Sequence, residues 1–449
     1  MLTDYAVAGT DELWNTVRLQ AYLTNVGSPF DGGPSICTCE SLTPQILGAV
    51  GAQYTTPDAP VDTAPWYDPA VPESASYLGF LPLEIQGIDD SPYARSTSTA
   101  VGGGGVFGAS RVQPRTMTVS GVIIGSTCCG AAYGLHYMTE LLAGTFRSAT
   151  DVCGACAGNT LSMYNCCPDP GMEPVAFNIA HKRTFRRTAL VSGPTVTRRR
   201  GSGVCDSSNC AAGAELIEVE FVLVAAVPYA YTELTPVLDV FPPIGGQPAQ
   251  PCVTWCVSTT GITCSGSVCL HQDCSTVAMC QDPLAPLMTP PEPTVPSSTF
   301  CVPLAPERAC YVLDLSSRPT WAEDVPIVTV SAGATVLRNI RITFYEKPDA
   351  TPNCDTYVDQ HLCDATDDFV ITFVPAAGQV TVDGQVGRAF VQCGGPCLPA
   401  TSVYSGDEGG PLKVNGLKAD YYCVCIETDP LFPPDPGATV SISLSGRGY

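Results

Sequence analysis

The sequence has little charge, and very little of it is positive. Charged residues make up 14% of the 449 residues, and 43 Asp and Glu outnumber 21 Lys and Arg, which gives a formal net charge of −22. A chain this acidic is repelled at long range by the phosphate backbone of nucleic acids. We therefore expect no sequence-specific nucleic acid among its partners.

Long apolar runs are also lacking, although 45% of the residues are hydrophobic. Runs such as residues 221–228 have the length of a strand and fall short of the roughly 18 apolar residues that a membrane helix needs. No membrane span is predicted. The N-terminal segment MLTDYAVAGTDELWNT has neither the basic region nor the unbroken apolar region of a secretory leader, which argues against ordinary secretion.

Recognisable catalytic chemistry is a third absence. The four histidines lie in four separate segments, and no nucleophile motif accompanies any of them. The glycine run at 102–105 lacks the Lys-Ser/Thr of a phosphate-binding loop, and Asp367-Asp368 and Asp407-Glu408 are interpreted as solvated loop charges. We expect no catalytic residue, no cofactor and no enzyme.

Cysteine, by contrast, is abundant: the chain has 24, many of them in close pairs. Such density is typical of disulfides in an oxidising destination, or of metal sites in a reducing one. Without a secretory leader, an oxidising destination indicates a particle component that is assembled inside a cell and released by lysis. We therefore expect assembly in a host cytoplasm.

One cysteine cluster leaves two interpretations open. Cys153, Cys156, Cys166 and Cys167, with more cysteines downstream, supply enough thiolates for a zinc site. Neighbouring cysteines rarely bind one zinc together because their side chains diverge, so disulfides are favoured and zinc is the weaker alternative. Further disulfide candidates are Cys252, Cys256, Cys264, Cys269, Cys274, Cys280, Cys393, Cys397, Cys423 and Cys425.

Two of these candidates have a predicted partner region. Cys423 and Cys425 are two residues apart on a predicted strand and so face the same side of it. We expect either of them to bond to the loop that contains Cys393 and Cys397. For the six cysteines between 252 and 280, the sequence alone does not select a pairing.

The 42 glycines and 41 prolines fall between short β-rich runs, which predicts a mainly β fold. Residues 115–125 alternate as a half-buried strand, residues 131–143 repeat as a helix that ends at Gly144, and residues 174–179 are predicted as a strand. The pair Asp383-Gly384, between two alternating runs, predicts a hairpin.

Three regions are predicted. Residues 1–241 form an N-terminal β-sandwich or barrel with one helix, long loops and a cysteine-rich insertion. Residues 242–300 are a proline- and cysteine-rich linker that cross-links hold together, because so few large apolar residues cannot fold by burial alone. Residues 301–449 carry eight short strands and form a C-terminal β-sandwich.

A basic patch interrupts the acidic pattern. Its arginines are Arg183, Arg186, Arg187, Arg198, Arg199 and Arg200. They lie on a predicted hairpin with Ser192-Gly193-Pro194 at its turn. The patch is either a solvated hairpin or a contact with the acidic surface of a neighbouring copy, which complementary charge would orient.

Several blocks of the sequence resemble a known family. They are DELWNTVRLQAYLTNVGSP, RTMTVSGVIIGSTCCGAAYGLHYMTELLAG, FVITFVPAAGQVTVDGQVGRAFVQCGGPC and ADYYCVCIETDP. Together they resemble the distal tail and minor tail proteins of long-tailed phages (siphophages) that infect actinobacteria. The segment GQVTVDG, residues 378–384, is similar to a strand-Asp-turn motif of siphophage tail components.

The resemblance implies a structural virion protein of the tail tip or baseplate. It implies a homohexameric ring formed by the N-terminal β-domain, with a galectin-like or carbohydrate-module-like C-terminal sandwich on the outside. The implied partners are further copies of the chain, the tail tube protein, the tail-tip hub and other minor tail proteins. The alternative is a receptor-attachment protein that binds a host surface glycan, with Tyr404, Tyr421 and Tyr422 stacking on sugars.

Overall fold

The computed structural model describes residues 4–25, 39, 41–49, 64–90, 92–99, 102–146, 159–201, 215–244, 252–257, 298–303, 307–320, 322–349, 353–362, 364–394, 397–406, 409–429 and 432–448. The helices are α1 (Thr16–Asn25), α2 (Pro44–Ala49), α3 (Cys128–Phe146), α4 (Pro174–His181) and α5 (Cys354–Gln360), with a 3-10 helix at Pro72–Ser76. The strands are β1 (Tyr5–Ala8), β2 (Asp11–Asn15), β3 (Tyr77–Gln86), β4 (Tyr93–Ala94), β5 (Thr97–Thr99), β6 (Gly105–Phe107), β7 (Arg111–Val112), β8 (Arg115–Gly125), β9 (Thr160–Tyr164), β10 (Lys182–Gly201), β11 (Glu215–Tyr231), β12 (Thr235–Val240), β13 (Cys252–Val257), β14 (Ser298–Pro303), β15 (Glu307–Asp314), β16 (Glu323–Ser331), β17 (Leu337–Lys347), β18 (Ala365–Val374), β19 (Gln379–Asp383), β20 (Arg388–Gln392), β21 (Leu398–Pro399), β22 (Val403–Ser405), β23 (Tyr421–Thr428) and β24 (Thr439–Gly448).

The fold is mainly β and antiparallel, which confirms the predicted fold class. The chain divides into two compact units, one formed by Met1–Thr235 with Ser445–Tyr449 and the other by Pro236–Leu444. Within the described ranges, no helix is long and apolar enough to cross a membrane. The three predicted regions remain a prediction. Residues 258–297 of the predicted linker lie outside the described residues. The described residues on either side of them form strands β13 and β14, which pair with each other.

In the N-terminal unit, four strands are paired in the order β3-β8-β11-β10, and β9, β1 and β2 continue from β10. Alternation along β8 and β11 places one row of apolar side chains on a single face of this sheet. Helix α3 and helix α1 cover that face. The buried row includes Met117, Val119, Ile123, Ile217, Val219, Phe221 and Leu223.

Helices are more numerous in this unit than predicted. The opening segment changes from strand β2 to helix α1 at Thr16, and α3 continues through Gly144 to Phe146. The strand predicted at residues 174–179 is wrong, because this segment is helix α4. The carboxylate of Glu173 caps α4 by accepting hydrogen bonds from the backbone nitrogens of Val175 and Ala176, and Pro174 occupies the first turn, where it is tolerated.

The second unit contains a β-sandwich. One sheet has the order β12-β24-β16-β19-β20-β21 and the other has the order β15-β23-β17-β18-β22. All eight strands predicted between 301 and 449 are present, and β19 and β20 form the hairpin predicted at Asp383-Gly384. The facing sides of the two sheets share one apolar core, which includes Val328, Val380, Ile442, Ile342, Phe369 and Val424.

Helix α5 lies on the outer face of the second of these sheets. Along β23, Val424 and Ile426 point into the sandwich, while Cys423 and Cys425 point outward beneath α5. Two disulfides form there, and they are Cys310–Cys425 and Cys354–Cys423. They join strand β15 and the start of α5 to the middle of β23.

The predicted bond from Cys423 or Cys425 to the Cys393/Cys397 loop is therefore wrong. That loop follows β20, which belongs to the opposite sheet of the sandwich, whereas β23 is flanked by β15 and β17. Cys393 is a free and exposed thiol, and Cys397 is disulfide-bonded.

Candidate assembly surface

One face of the N-terminal sheet is open and acidic. The register places Glu84, Ser120, Glu220 and Thr195 in one row across β3, β8, β11 and β10. Glu84, Glu220 and Thr195 are exposed, and Ser120 is half-buried. Glu218 lies two residues from Glu220 on β11 and so projects from the same face. Because the core lies on the other face, these carboxylates remain in contact with solvent.

The six predicted contact arginines do not form one patch. Arg183 is half-buried, and its Nη1 donates to the backbone oxygens of Ala180 and Lys182 at 2.8 and 2.9 Å. Burial lowers the pKa of this guanidinium, while the nearby Cys166 acts in the opposite direction. Arg186 and Arg187 are also half-buried. These three residues belong to the packed half of β10.

The other arginines lie in the outer half of β10, at residues 188–201. Arg198 and Arg199 are exposed and lie opposite Glu218 and Ile217 in the ladder, and the backbone of Arg200 pairs with Leu216. Ten residues lie between Arg187 and Arg198, and the eleven steps along the strand span at most about 35 Å. The exposed positive charge of the patch is therefore concentrated at one end of the strand, where Arg198 shares the acidic face with Glu218, while Arg199, opposite the buried Ile217, projects from the other face.

The predicted hairpin turn at Ser192-Gly193-Pro194 is wrong. Strand β10 continues through these residues, and Ser192 pairs with Val222 while Thr195 pairs with Glu220, so β10 holds one residue more than β11. Gly193 has φ +90°, and a Cβ there would lie 2.6 Å from the carbonyl oxygen of Glu220. A residue with a side chain does not fit this close approach.

The outer half of β10 is a sheet edge. Among the described strands, β9 pairs with β10 only from Lys182 to Arg186, so none pairs with residues 188–201 on the side away from β11. Register shifts, Pro194 and the arginines interrupt this edge, and such features disfavour a continuous ladder with another chain. The surface is suited to contacts between side chains.

Of the four cysteines in the predicted zinc cluster, one is disulfide-bonded, one is a free thiol and two lie outside the described residues. Cys167 is bonded to Cys39, so its thiolate is not free to bind a metal, and Cys153 and Cys156 lie outside the described residues. Cys166 is a free, exposed thiol whose Sγ lies 3.0 Å from Nδ1 of His181. Burial raises the pKa of Cys166 and lowers that of His181. Within the described ranges, no three His, Cys, Asp or Glu side chains form a metal site.

The remaining cysteine candidates lie between residues 252 and 280, where the structure describes only the strand β13. Cys252 and Cys256 are on β13, where the structure gives the backbone ladder and not the side chains. Cys264, Cys269, Cys274 and Cys280 lie outside the described residues. Their predicted disulfides remain predictions.

The predicted sugar-stacking tyrosines do not form an exposed platform. Tyr422 is 1% exposed, and its hydroxyl oxygen accepts a hydrogen bond from the backbone nitrogen of Lys418 at 2.8 Å. Tyr404 and Tyr421 are half-buried. The interpretation of Asp367-Asp368 as solvated charge is also wrong, because Asp367 is buried and Asp368 forms an ion pair with Arg341.

A cluster that the sequence did not predict lies on the same unit. The guanidinium of Arg338 lies over the rings of Phe373 and Phe432, and both rings are exposed. Nothing in the sequence connects the three residues, because Phe432 is far from the other two along the chain and is brought to them by the sandwich.

Comparison with known proteins gives distant likenesses. No family model matches the sequence, and no curated protein matches it. One similar solved structure is the Dit protein of phage SPP1, described as a paradigm of the hub adsorption apparatus in phages that infect Gram-positive hosts. It is 11% identical, the alignment covers 82% of this chain and 93% of that one, and the TM-score is 0.32. Another is a chain of the phage P2 baseplate in its activated conformation with Ca, at 8% identity, 82% and 90% coverage and a TM-score of 0.33.

Proposed function

We propose that this chain is a structural protein of a siphophage tail tip, whose copies form a hexameric ring between the tail tube and the tail-tip hub. The N-terminal unit forms the ring in this proposal, and the second unit decorates it. The sequence blocks that resemble distal tail and minor tail proteins are one support. In the particle, the tail tube protein, the hub and other minor tail proteins are the neighbours.

The observation that carries the proposal is the charge arrangement of the N-terminal sheet. Arg198 and Arg199 project at the outer end of β10, and Glu84 and Glu220 are exposed on one face of the same sheet. Opposite charges on this face favour a contact in which Arg198 of one copy meets the carboxylates of the next. A contact of this heterologous kind closes a ring when the rotation from one copy to the next is a whole fraction of a turn, as the proposal requires.

The disulfides are compatible with a virion protein. Cys39–Cys167, Cys310–Cys425 and Cys354–Cys423 are bonded, and disulfides persist in oxidising surroundings. A particle assembled in a host cytoplasm and released by lysis enters such surroundings. The disulfides thereby support the proposed location.

The test measures the mass of the full chain by light scattering and images the purified protein by electron microscopy. Wild type is expected to form rings of six copies, which weaken as salt rises because the contacts are exposed. Arg198→Glu should shift the population to monomers. The matched control is Arg388→Glu, an exposed arginine on β20 that should leave the ring intact. Wild type that stays monomeric at high concentration would refute the ring.

A further inference from the structure

The position of Arg338 depends on an irregularity shared by two paired strands. Leu337 pairs with Val374 and Ile340 pairs with Ile371, and all four side chains point into the core of the sandwich. Two inward residues three positions apart break the alternation of a strand. On β17 the break is at Asn339, whose φ is +51°, a conformation that asparagine tolerates better than most residues.

The irregularity is held in place on both strands. Nδ2 of Asn339 donates to Oδ2 of Asp429 at 2.8 Å, and Asp429 is buried. On β18, the backbone nitrogen of Thr372 donates to the carbonyl oxygen of Ser402 at 2.9 Å, and Oγ of Ser402 donates to the carbonyl oxygen of Phe373 at 3.0 Å. These hydrogen bonds hold both strands in the conformation that directs the side chains of Arg338 and Phe373 outward.

Arg338 lies between two aromatic rings. Its Cζ is 5.6 Å from the centroid of Phe373 and 5.7 Å from that of Phe432, both within cation-π range. The two phenylalanines are 39% and 43% exposed, so part of each ring is open to solvent beside the guanidinium. The three residues present an apolar surface on two sides of one cation, and we call them the Arg338 platform.

Arg338 differs in its partners from three other arginines of this unit. Arg308 pairs with Asp359, Arg318 with Asp324, and Arg341 with Asp368. Among the described residues of the unit, no carboxylate or carbonyl engages the guanidinium of Arg338, which touches the two rings. A guanidinium stacked on rings keeps its N–H donors directed outward in its own plane.

We propose that the Arg338 platform binds a saccharide that carries a carboxylate, such as a uronic acid residue in a cell-envelope polymer. The carboxylate accepts the paired N–H bonds of Arg338, and the apolar faces of the sugar rings lie on Phe373 and Phe432. Salt at physiological ionic strength screens exposed charges beyond about 8 Å, so the acidic net charge of the chain opposes this ligand only weakly at longer range. The proposal is independent of whether copies of the chain form a ring.

The test uses the full-length protein on an array with tetragalacturonate, a tetrasaccharide of hyaluronan, the methyl esters of both, and tetraglutamate. Wild type is expected to bind a uronate at least tenfold more tightly than its methyl ester, because only the free carboxylate pairs with Arg338. Arg338→Ala and Phe373→Ala should each reduce that binding at least tenfold. Arg388→Ala and Phe241→Ala, which remove an exposed arginine and an exposed phenylalanine of the same unit, are the matched controls and should leave it unchanged.

Three results with the wild-type protein would overturn the proposal. They are equal binding of a uronate and its methyl ester by wild type, no binding of either uronate, and equal binding of tetraglutamate, which would show that the platform recognises charge without sugar. Circular dichroism spectra of the variants verify folding, and because all three platform residues are exposed, their replacement leaves the core intact. If Arg338→Ala lowers the mass of the assembly and does not alter saccharide binding, the platform is an interface between copies and the proposal is wrong.

Discussion

Oδ1 of Asp367 accepts hydrogen bonds from both the backbone nitrogen and the side-chain nitrogen of Asn415, at 2.9 and 2.8 Å. The carboxyl is 3% exposed, and its burial raises its pKa from 3.8 to about 7, although these hydrogen bonds act in the opposite direction. The folded chain therefore holds this proton more tightly than the unfolded chain.

The sign of the pH dependence follows from that difference. Protonated Asp367 stabilises the folded chain fully at pH values below the pKa that this carboxyl has in the unfolded chain. This stabilisation is lost as the pH rises toward the folded pKa of about 7, and the loss is about 4 kcal/mol at most. Asp367→Asn should remove this slope, because an amide oxygen at the position of Oδ1 still accepts both bonds. Urea unfolding between pH 4 and pH 8 measures it, with exposed Asp355→Asn as the control. A wild-type slope that survives in Asp367→Asn would contradict the assignment.

The disulfides of the second unit predict a second result. Non-reducing peptide mapping by mass spectrometry should recover Cys310 linked to Cys425 and Cys354 linked to Cys423. The replacement of Cys354 and Cys423 together by alanine should lower the free energy of unfolding by about 4 kcal/mol, since the bond closes a loop of 69 residues in the unfolded chain. Peptides that link Cys423 or Cys425 to Cys393 would contradict the pairing.

Strands of the second unit were predictable because alternation is local: each inward residue of β16 or β19 is two positions from the next, and Asp383-Gly384 adds a turn signal. Cysteine pairing was not, because Cys354 and Cys423 are 69 residues apart and meet only when α5 packs on the sheet. The Arg338 platform was hidden for the same reason.

Short apolar segments were ambiguous in the N-terminal unit. Residues 174–179 contain apolar residues in a run short enough for either element, and the cap from Glu173 decides for a helix. Ser192-Gly193-Pro194 has the composition of a turn, but Ser192 and Thr195 both pair with β11, so Gly193 and Pro194 form a bulge. In both cases, neighbouring structure overrides local composition.

Two glycines of α3 provide a matched pair for a third prediction. A Cβ at Gly134 would overlap the ring of Tyr77 and lie 3.0 Å from Ile123, whereas a Cβ at Gly144 would have nothing within 4 Å. Gly134→Ala should destabilise the chain by about 1–3 kcal/mol through overpacking. Gly144→Ala should stabilise it by up to about 1 kcal/mol, because alanine is the better helix former. Thermal unfolding measures both, and equal effects would contradict this packing of α3 on β3.

Arg18 and Glu12 form an ion pair inside the N-terminal core. Nε of Arg18 lies 3.0 Å from Oε1 of Glu12, its Nη1 lies 3.4 Å from the hydroxyl of Tyr22, and the Arg18 side chain is 3% exposed. The pair links strand β2 to helix α1. Glu12 raises the pKa of Arg18 against the effect of burial, so the guanidinium stays charged.

Glu12→Gln should therefore lower the free energy of unfolding by about 3–5 kcal/mol, because it leaves a buried charge without its counter-ion. Arg18→Met should also destabilise, since it leaves the carboxylate unpaired. The double variant should be more stable than the sum of the two losses predicts, because no uncompensated charge remains. Urea unfolding of the wild type, the two single variants and the double variant, at low and high salt, completes the cycle. If the losses in unfolding free energy are additive and become smaller at high salt, the ion pair is solvated and the prediction is wrong.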